Sequence, residues 1–161
     1  MNSAEAVIRP ARPGDETLLH RLIAELAEYE RLAEEMKATP DDLGAALFGQ
    51  APVAEAVLAE IDGQAAGFAL FFTNFSTFVG RPGLYLEDLF VRPAWRGRGI
   101  GKALLLHLAG LARQRGYGRM EWSVLDWNEP AIGFYRSLGA RAMSDWTVFR
   151  LDQAALEALG S

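Results

Sequence analysis

Leu84-Tyr-Leu-Glu-Asp-Leu-Phe-Val-Arg-Pro-Ala-Trp-Arg-Gly-Arg-Gly-Ile-Gly-Lys102 decides how the rest of the chain is read. An apolar strand, Leu84 to Val91, carries one pair of carboxylates and is ended by Pro93. The glycine-rich turn Arg96-Gly97-Arg98-Gly99-Ile100-Gly101 follows and opens onto an apolar helix predicted over 99–115, with Gly116 as its stop. Glycines let successive backbone N–H groups point into one concavity, and a helix start adds partial positive charge. Such a turn suits a phosphate. It is not a P-loop, because Arg96 stands where the first glycine is needed and Ala103 where Ser or Thr is needed. Nor is it a dinucleotide fingerprint starting at Gly97, because Lys102 occupies the third glycine position.

Working outward, Ala6–Ala11 reads as a short first strand. Asp15 is the expected N-cap of an amphipathic helix over 15–32, in which Leu18, Leu19, Leu22, Ile23 and Leu26 recur at helical spacing. A polar stretch, 33–39, leads to a short helix from Pro40 to about Phe48. Strands are predicted at Val53–Ile61 and Ala65–Asn74, joined at the hairpin pair Asp62-Gly63. An aromatic and glycine-rich loop over 73–83 precedes the central strand. Beyond the glycine helix come a strand at 119–125, a helix capped by Asn128 with Pro130 in its first turn and Gly139 as its stop, a last strand at 147–151 and a helical tail at 153–159. Antiparallel strands first and βαβ units later make this an α/β (α+β) fold: one domain over 1–161, a mixed, mostly antiparallel sheet flanked by helices.

Composition narrows the function. The chain has 161 residues, half of them hydrophobic, enough for one full core. Zero cysteines exclude disulfides and a thiol nucleophile and suit a cytoplasmic protein. No apolar run is long enough for a membrane span, and no basic-then-apolar leader pattern opens the chain. His20 and His107 sit in predicted helices without a third ligand nearby, so no metal site is expected. Residues 1–90 hold 15 acidic and 6 basic side chains and residues 91–161 hold 6 and 10, which together give the net charge of −5. That asymmetry fits a cation accepted on one side and a polyphosphate on the other; an unevenly charged solvated surface would give the same counts. Basic residues form no stripe, which disfavours nucleic acid.

The pattern Arg96-x-x-Gly99-x-Gly101, followed downstream by Asn128-Glu-Pro-Ala-Ile-Gly-Phe-Tyr135-Arg-Ser-Leu-Gly139, resembles the coenzyme A motif and the Asn/Tyr region of the GNAT acetyltransferase superfamily. The likeness in element order covers residues 6–151. It implies an acetyl-CoA-dependent N-acetyltransferase in which Arg96, Gly97, Arg98, Gly99, Ile100, Gly101 and Lys102 hold the pyrophosphate through backbone N–H groups. Ile100 packs inward without a chemical role of its own. Backbone groups of Leu89, Phe90 and Val91 meet the pantetheine arm and the thioester carbonyl, with Asn128 adding a hydrogen bond. Tyr135 is the implied general acid. Glu87 and Asp88 alternate on a strand, so one is expected to face the cleft; the resemblance assigns that place to Glu87, as base through a water and as an attraction for the substrate cation.

Further blocks, Val7-Ile-Arg-Pro-Ala11, Arg21–Glu30, Tyr85-Leu-Glu-Asp88 and Asp126-Trp-Asn-Glu-Pro130, are similar to the diamine (spermidine/spermine-type) and thialysine acetyltransferase branch. This implies a small cationic amine substrate in a pocket lined by Tyr29, Glu30 and Ser123, and a homodimer contact using Trp146, Val148 and Phe149. Glu25, Glu28, Glu34 and Glu35 read as a solvated helix face. The loop 74–83, Ser137-Leu-Gly139 and the segment 143–148 depart from the branch and bear on substrate identity. Other readings are a GNAT enzyme acting on protein N-termini or lysines, and a non-catalytic acyl-CoA-binding module.

Overall fold

The computed structural model describes residues 5–160. The absence of a leader pattern concerns positions that begin outside this range. The chain forms two units, 1–123 and 124–161. The first contains β1 (Val7–Pro10), α1 (Glu16–Tyr29), α2 (Pro40–Phe48), β2 (Glu55–Ile61), β3 (Gln64–Ser76), β4 (Arg81–Val91), α3 (Ile100–Gln114) and β5 (Met120–Trp122). The second contains α4 (Glu129–Ser137) and α5 (Gln153–Leu159).

The five strands of the first unit form one sheet in sequence order, antiparallel throughout except for the parallel pair β4 and β5. This is the mixed sheet expected from the order of elements. Leu19, Leu22 and Leu26 of α1 and Leu43 and Leu47 of α2 pack on one sheet face with Leu58, Phe68, Leu70 and Phe90. Phe71, Leu84 and Leu86 are buried on the other strand positions, and Ile100, Leu104, Leu105 and Leu108 supply the buried stripe of α3, which lies against β3 and β4.

Local signals explain most boundaries. The hairpin pair takes left-handed backbone at both positions, Asp62 at φ 52° and Gly63 at φ 77°, as a two-residue turn between twisted strands requires. Thr39 caps α2 reciprocally: its Oγ1 accepts from the Asp42 N–H at 3.1 Å and its N–H donates to Asp42 Oδ2 at 2.9 Å. α1 stops at Tyr29, three residues before the expected end, because Arg31 adopts left-handed backbone (φ 62°) and the Leu32 N–H returns to the Ala27 carbonyl at 2.8 Å. Asp15 precedes α1 but makes no side-chain cap. Its carboxylate instead accepts from Arg9 and from the Arg12 N–H, and the Arg9 hydrogen bond draws its pKa below the ordinary aspartate value.

Three expectations are corrected. The loop expected over 73–83 is largely strand: β3 runs on to Ser76 and β4 begins at Arg81, with Phe75 opposite Pro82 and Gly80 (φ 74°) in the turn. The strand expected over 119–125 is confined to Met120–Trp122. No strand forms at 147–151; Trp146, Val148 and Phe149 are exposed, in a stretch without regular structure. Among the described residues no helix is long and apolar enough to cross a membrane.

Gly67 shows how closely β3 and β4 approach. A Cβ added there would lie 2.5 Å from the Phe90 carbonyl oxygen and 3.3 Å from Val91 Cα, both backbone atoms that a rotamer change cannot move. Gly67→Ala is therefore predicted to destabilise the protein by about 1–3 kcal/mol through overpacking. A urea midpoint unchanged from wild type would refute the prediction.

Candidate active site

Strand β4 carries the site, and its register is broken where the chemistry-bearing residues lie. Phe72 pairs with Tyr85 and Phe71 with Leu86, but Leu70 pairs with Asp88, leaving Glu87 as one extra residue in β4. A bulge of this kind twists the strand and cancels the simple alternation of side chains. Tyr85 and Asp88, three residues apart, therefore share the face of Phe72 and Leu70, the face covered by α1 and α2; the Tyr85 ring stacks on Phe72 with centroids 5.1 Å apart.

The bulge departs from the regular alternation expected of this strand, which would put the two carboxylates of the pair on opposite faces. Asp88 is half-buried and Glu87 exposed, yet both belong to one acidic cluster with Glu30 at the end of α1. Burial first, then repulsion from Glu87 and Glu30, pushes the Asp88 carboxyl up to about 7. Burial and then Glu87 raise the Glu30 carboxyl as well. The sign follows from proton linkage. Between the unfolded value near 4 and about 7 the folded chain holds a proton that the unfolded chain has lost, so Asp88 subtracts stability as pH climbs through that window. A cation placed among the three carboxylates would reverse that penalty. The sequence pattern separates the two carboxylates because no residue pattern announces the bulge.

The same strand presents an open backbone edge. Pairing between β4 and β5 ends at Leu86 opposite Trp122. The Arg92 N–H donates to the Ala66 carbonyl of the β3 side at 2.8 Å. By the alternation of an antiparallel ladder, Asp88 and Phe90 also turn their N–H and C=O groups to β3, whereas Leu89 and Val91 turn theirs to the opposite edge. Of the three residues expected to meet an extended ligand through the backbone, Leu89 and Val91 thus face the open edge and Phe90 does not. Phe90 contributes its buried ring to the core.

The glycine turn lies directly after this edge. Gly97 and Gly99 have φ of 79° and 77°, with Arg98 at negative φ between them, an alternation that can gather backbone N–H groups into a concavity of the kind that suits an anion. Gly99 is the N-cap of α3, and a Cβ there would meet nothing within 4 Å, so the requirement for glycine is conformational. Ile100 is buried, as expected, and Lys102 is exposed. Arg98 lies over the Trp95 ring at 5.0 Å. Arg96 turns away from the concavity: its Nε donates to the Val91 carbonyl at 3.0 Å, and its guanidinium lies 4.8 Å from the Tyr29 ring centroid and 5.7 Å from that of Phe90.

Around this centre, the Tyr85 hydroxyl and Ser123 Oγ are hydrogen-bonded at 3.0 Å. Glu25, expected on the solvated face of α1, is only partly exposed. It accepts from Arg92 Nη2 at 2.9 Å and Nε at 3.1 Å, while Arg92 Nη1 donates to the Ala65 carbonyl, tying α1 to the end of β4. Such partly exposed pairs contribute little stability but fix geometry well when bidentate. In the second unit Asn128 caps α4, its Oδ1 accepting from the Ala131 N–H at 3.4 Å, and Tyr135 stands two helical turns further on, its ring 5.6 Å from that of Phe134.

Residues 19–140 match the model of the Acetyltransferase (GNAT) family. The chain is 36% identical to the thialysine N-epsilon-acetyltransferase of Bos taurus over 97% of its own length and 98% of that protein. It is 33% identical to the L-ornithine N5-acetyltransferase NATA1 of Arabidopsis thaliana, with 94% and 86% covered. Among solved structures, an integron cassette protein from the mobile metagenome of V. cholerae matches with a TM-score of 0.81 at 26% identity, covering 97% of this chain and 98% of that one. The matched span runs from α1 through the glycine turn to α4, and the chain belongs to the GNAT family of acetyltransferases.

Proposed function

We propose that this enzyme moves the acetyl group of acetyl-CoA to a primary amine of a small cationic acceptor, a diamine, polyamine or thialysine-like compound, by direct attack through a tetrahedral intermediate. The acidic cluster of Glu30, Glu87 and Asp88 carries the reading. Three carboxylates brought together, two of them partly buried, repel one another, and an ammonium is the counter-charge that relieves them. The relatives named for thialysine and ornithine are similar over nearly their whole length, which supports an acceptor of that kind.

An ammonium has a pKa of about 10.4 and no free electron pair, so it must lose a proton before attack. Glu87, through a water, takes that proton. The amine nitrogen then bonds the thioester carbon, and the carbonyl electron pair moves onto oxygen. Backbone groups of Leu89 and Val91 at the open edge serve the oxyanion and the pantetheine arm; a single oxyanion donor is worth about 2.7–4 kcal/mol. The carbon–sulfur bond breaks as the carbonyl re-forms, Tyr135 gives its phenolic proton to the leaving thiolate, and the second proton shed by the nitrogen restores the phenol, so the products are the amide, the coenzyme A thiol and the one proton that Glu87 passes to solvent. The pyrophosphate rests on the N–H groups of the glycine turn, with Arg98 and Lys102 adding charge and Asn128 bonding the arm. Tyr29 and Ser123 border the acceptor.

A panel of diamines, polyamines, thialysine and lysine peptides, followed by release of the coenzyme A thiol, tests the class of acceptor. Preference for lysine peptides over every small amine would overturn it. The acidic cluster gives a second measurement. With Asp88 titrating at about 7, kcat/KM for the amine is expected to rise with pH through that region as the carboxylate forms. Asp88→Asn should remove that inflection and raise KM for the amine about tenfold, the loss of one partly buried charge pairing. An unchanged inflection in the variant would assign it to another group.

A further inference from the structure

Tyr29 and the glycine turn are assigned above to opposite halves of the reaction, yet one side chain touches both. Arg96, the first residue of the turn, sends its guanidinium back over the Tyr29 ring at 4.8 Å and the Phe90 ring at 5.7 Å. Its Nε is fixed on the Val91 carbonyl at 3.0 Å, on the open edge that leads into the turn. The side chain is exposed, but its contacts with two rings and a carbonyl restrict its rotamers before any ligand arrives. Its backbone, which begins the concavity of Gly97 and Gly99, is held with it. Tyr29 sits at the last residue of α1, just before the left-handed Arg31 and beside the Arg92–Glu25 pair that binds this helix to β4. The ring is therefore presented from a fixed support.

We propose that Tyr29 is a positioning residue for the cofactor: through Arg96 it holds the start of the glycine turn in its anion-binding form, so that a residue of the acceptor side sets the affinity for coenzyme A. The inference rests on the reading that the turn binds the coenzyme A diphosphate. Holding the turn in advance lowers the ordering cost of binding, so loss of the ring appears as weaker cofactor affinity.

Calorimetric titration of coenzyme A into the full-length protein, without amine, reads this directly. Tyr29→Leu removes the ring and is expected to weaken coenzyme A binding about two- to fivefold, the range of an exposed cation–π contact. Tyr29→Phe retains the ring and should restore wild-type affinity. In an Arg96→Gln background, which removes the cation, Tyr29→Leu should cost nothing further. A purely acceptor-side tyrosine predicts a changed KM for the amine with coenzyme A affinity equal in wild type and Tyr29→Leu, and that result would overturn the proposal. If wild type itself gave no heat with coenzyme A, the diphosphate reading would fall, and this inference with it.

Discussion

Tyr135→Phe is expected to lower kcat with acetyl-CoA by about a hundredfold while the KM values move less than about threefold, the signature of a lost general acid. A factor of this size corresponds to about 2.7 kcal/mol of transition-state stabilisation. The substitution deletes one oxygen and keeps the ring, so the contact with Phe134 at 5.6 Å survives and α4 retains its Asn128 cap. From a free phenol, pKa about 10, to a free thiolate, whose thiol has a pKa of about 8.5, proton transfer is slightly uphill, so it depends on geometry rather than acidity. That dependence supplies an internal control. An acyl donor whose thiol is more acidic needs less protonation on leaving, and the deficit of the variant should shrink with it. An equal deficit with both donors would mean that the hydroxyl positions the thioester without donating a proton. Full kcat in the variant would remove Tyr135 from the reaction altogether.

The parts of the molecule that were legible in sequence are those governed by local rules. The Asp62-Gly63 turn, the Asn128 cap and the glycine start of α3 each follow from backbone geometry that few residues can adopt, and each stands where expected. Helix and strand periodicity gave α1, α3 and β2 to within a few residues. What escaped depends on pairing between distant segments. The bulge at Glu87 arises from two registers of β3 against β4 that differ by one residue, and Glu-Asp within an apolar run says nothing about it. Without the bulge, alternation separates Glu87 from Asp88; with it, both interact with Glu30. The Arg92–Glu25 pair spans 67 positions, and the Arg96–Tyr29 contact likewise joins α1 to the turn, so neither has a sequence period to reveal it. The extension of β3 to Ser76 was hidden by glycines that read as loop but serve the turn at Gly80 and the close approach at Gly83.

The largest expected loss in cofactor binding comes from Gly99→Glu, which should weaken coenzyme A affinity by about 30- to 200-fold. Two penalties combine. Gly99 has φ 77°, a conformation that costs an L-residue about 1–2 kcal/mol. The new carboxylate would also stand at the mouth of a concavity whose backbone N–H groups are to receive a diphosphate, adding about 1 kcal/mol or more of like-charge repulsion in a solvent-exposed setting. Together they amount to about 2–3 kcal/mol, and each 1.4 kcal/mol is tenfold. Gly99→Ala separates the two, because it carries only the backbone strain: a Cβ there meets nothing within 4 Å, so no steric clash confuses the comparison. It should cost about five- to thirtyfold and show little change with ionic strength, whereas the additional loss in Gly99→Glu should shrink as salt screens the repulsion. The carboxylate itself favours the start of α3 through the helix dipole, so the glutamate variant is not expected to unfold that helix. Wild-type coenzyme A affinity in Gly99→Glu would place the diphosphate elsewhere, and Arg98 and Lys102 would lose their assigned role along with the turn.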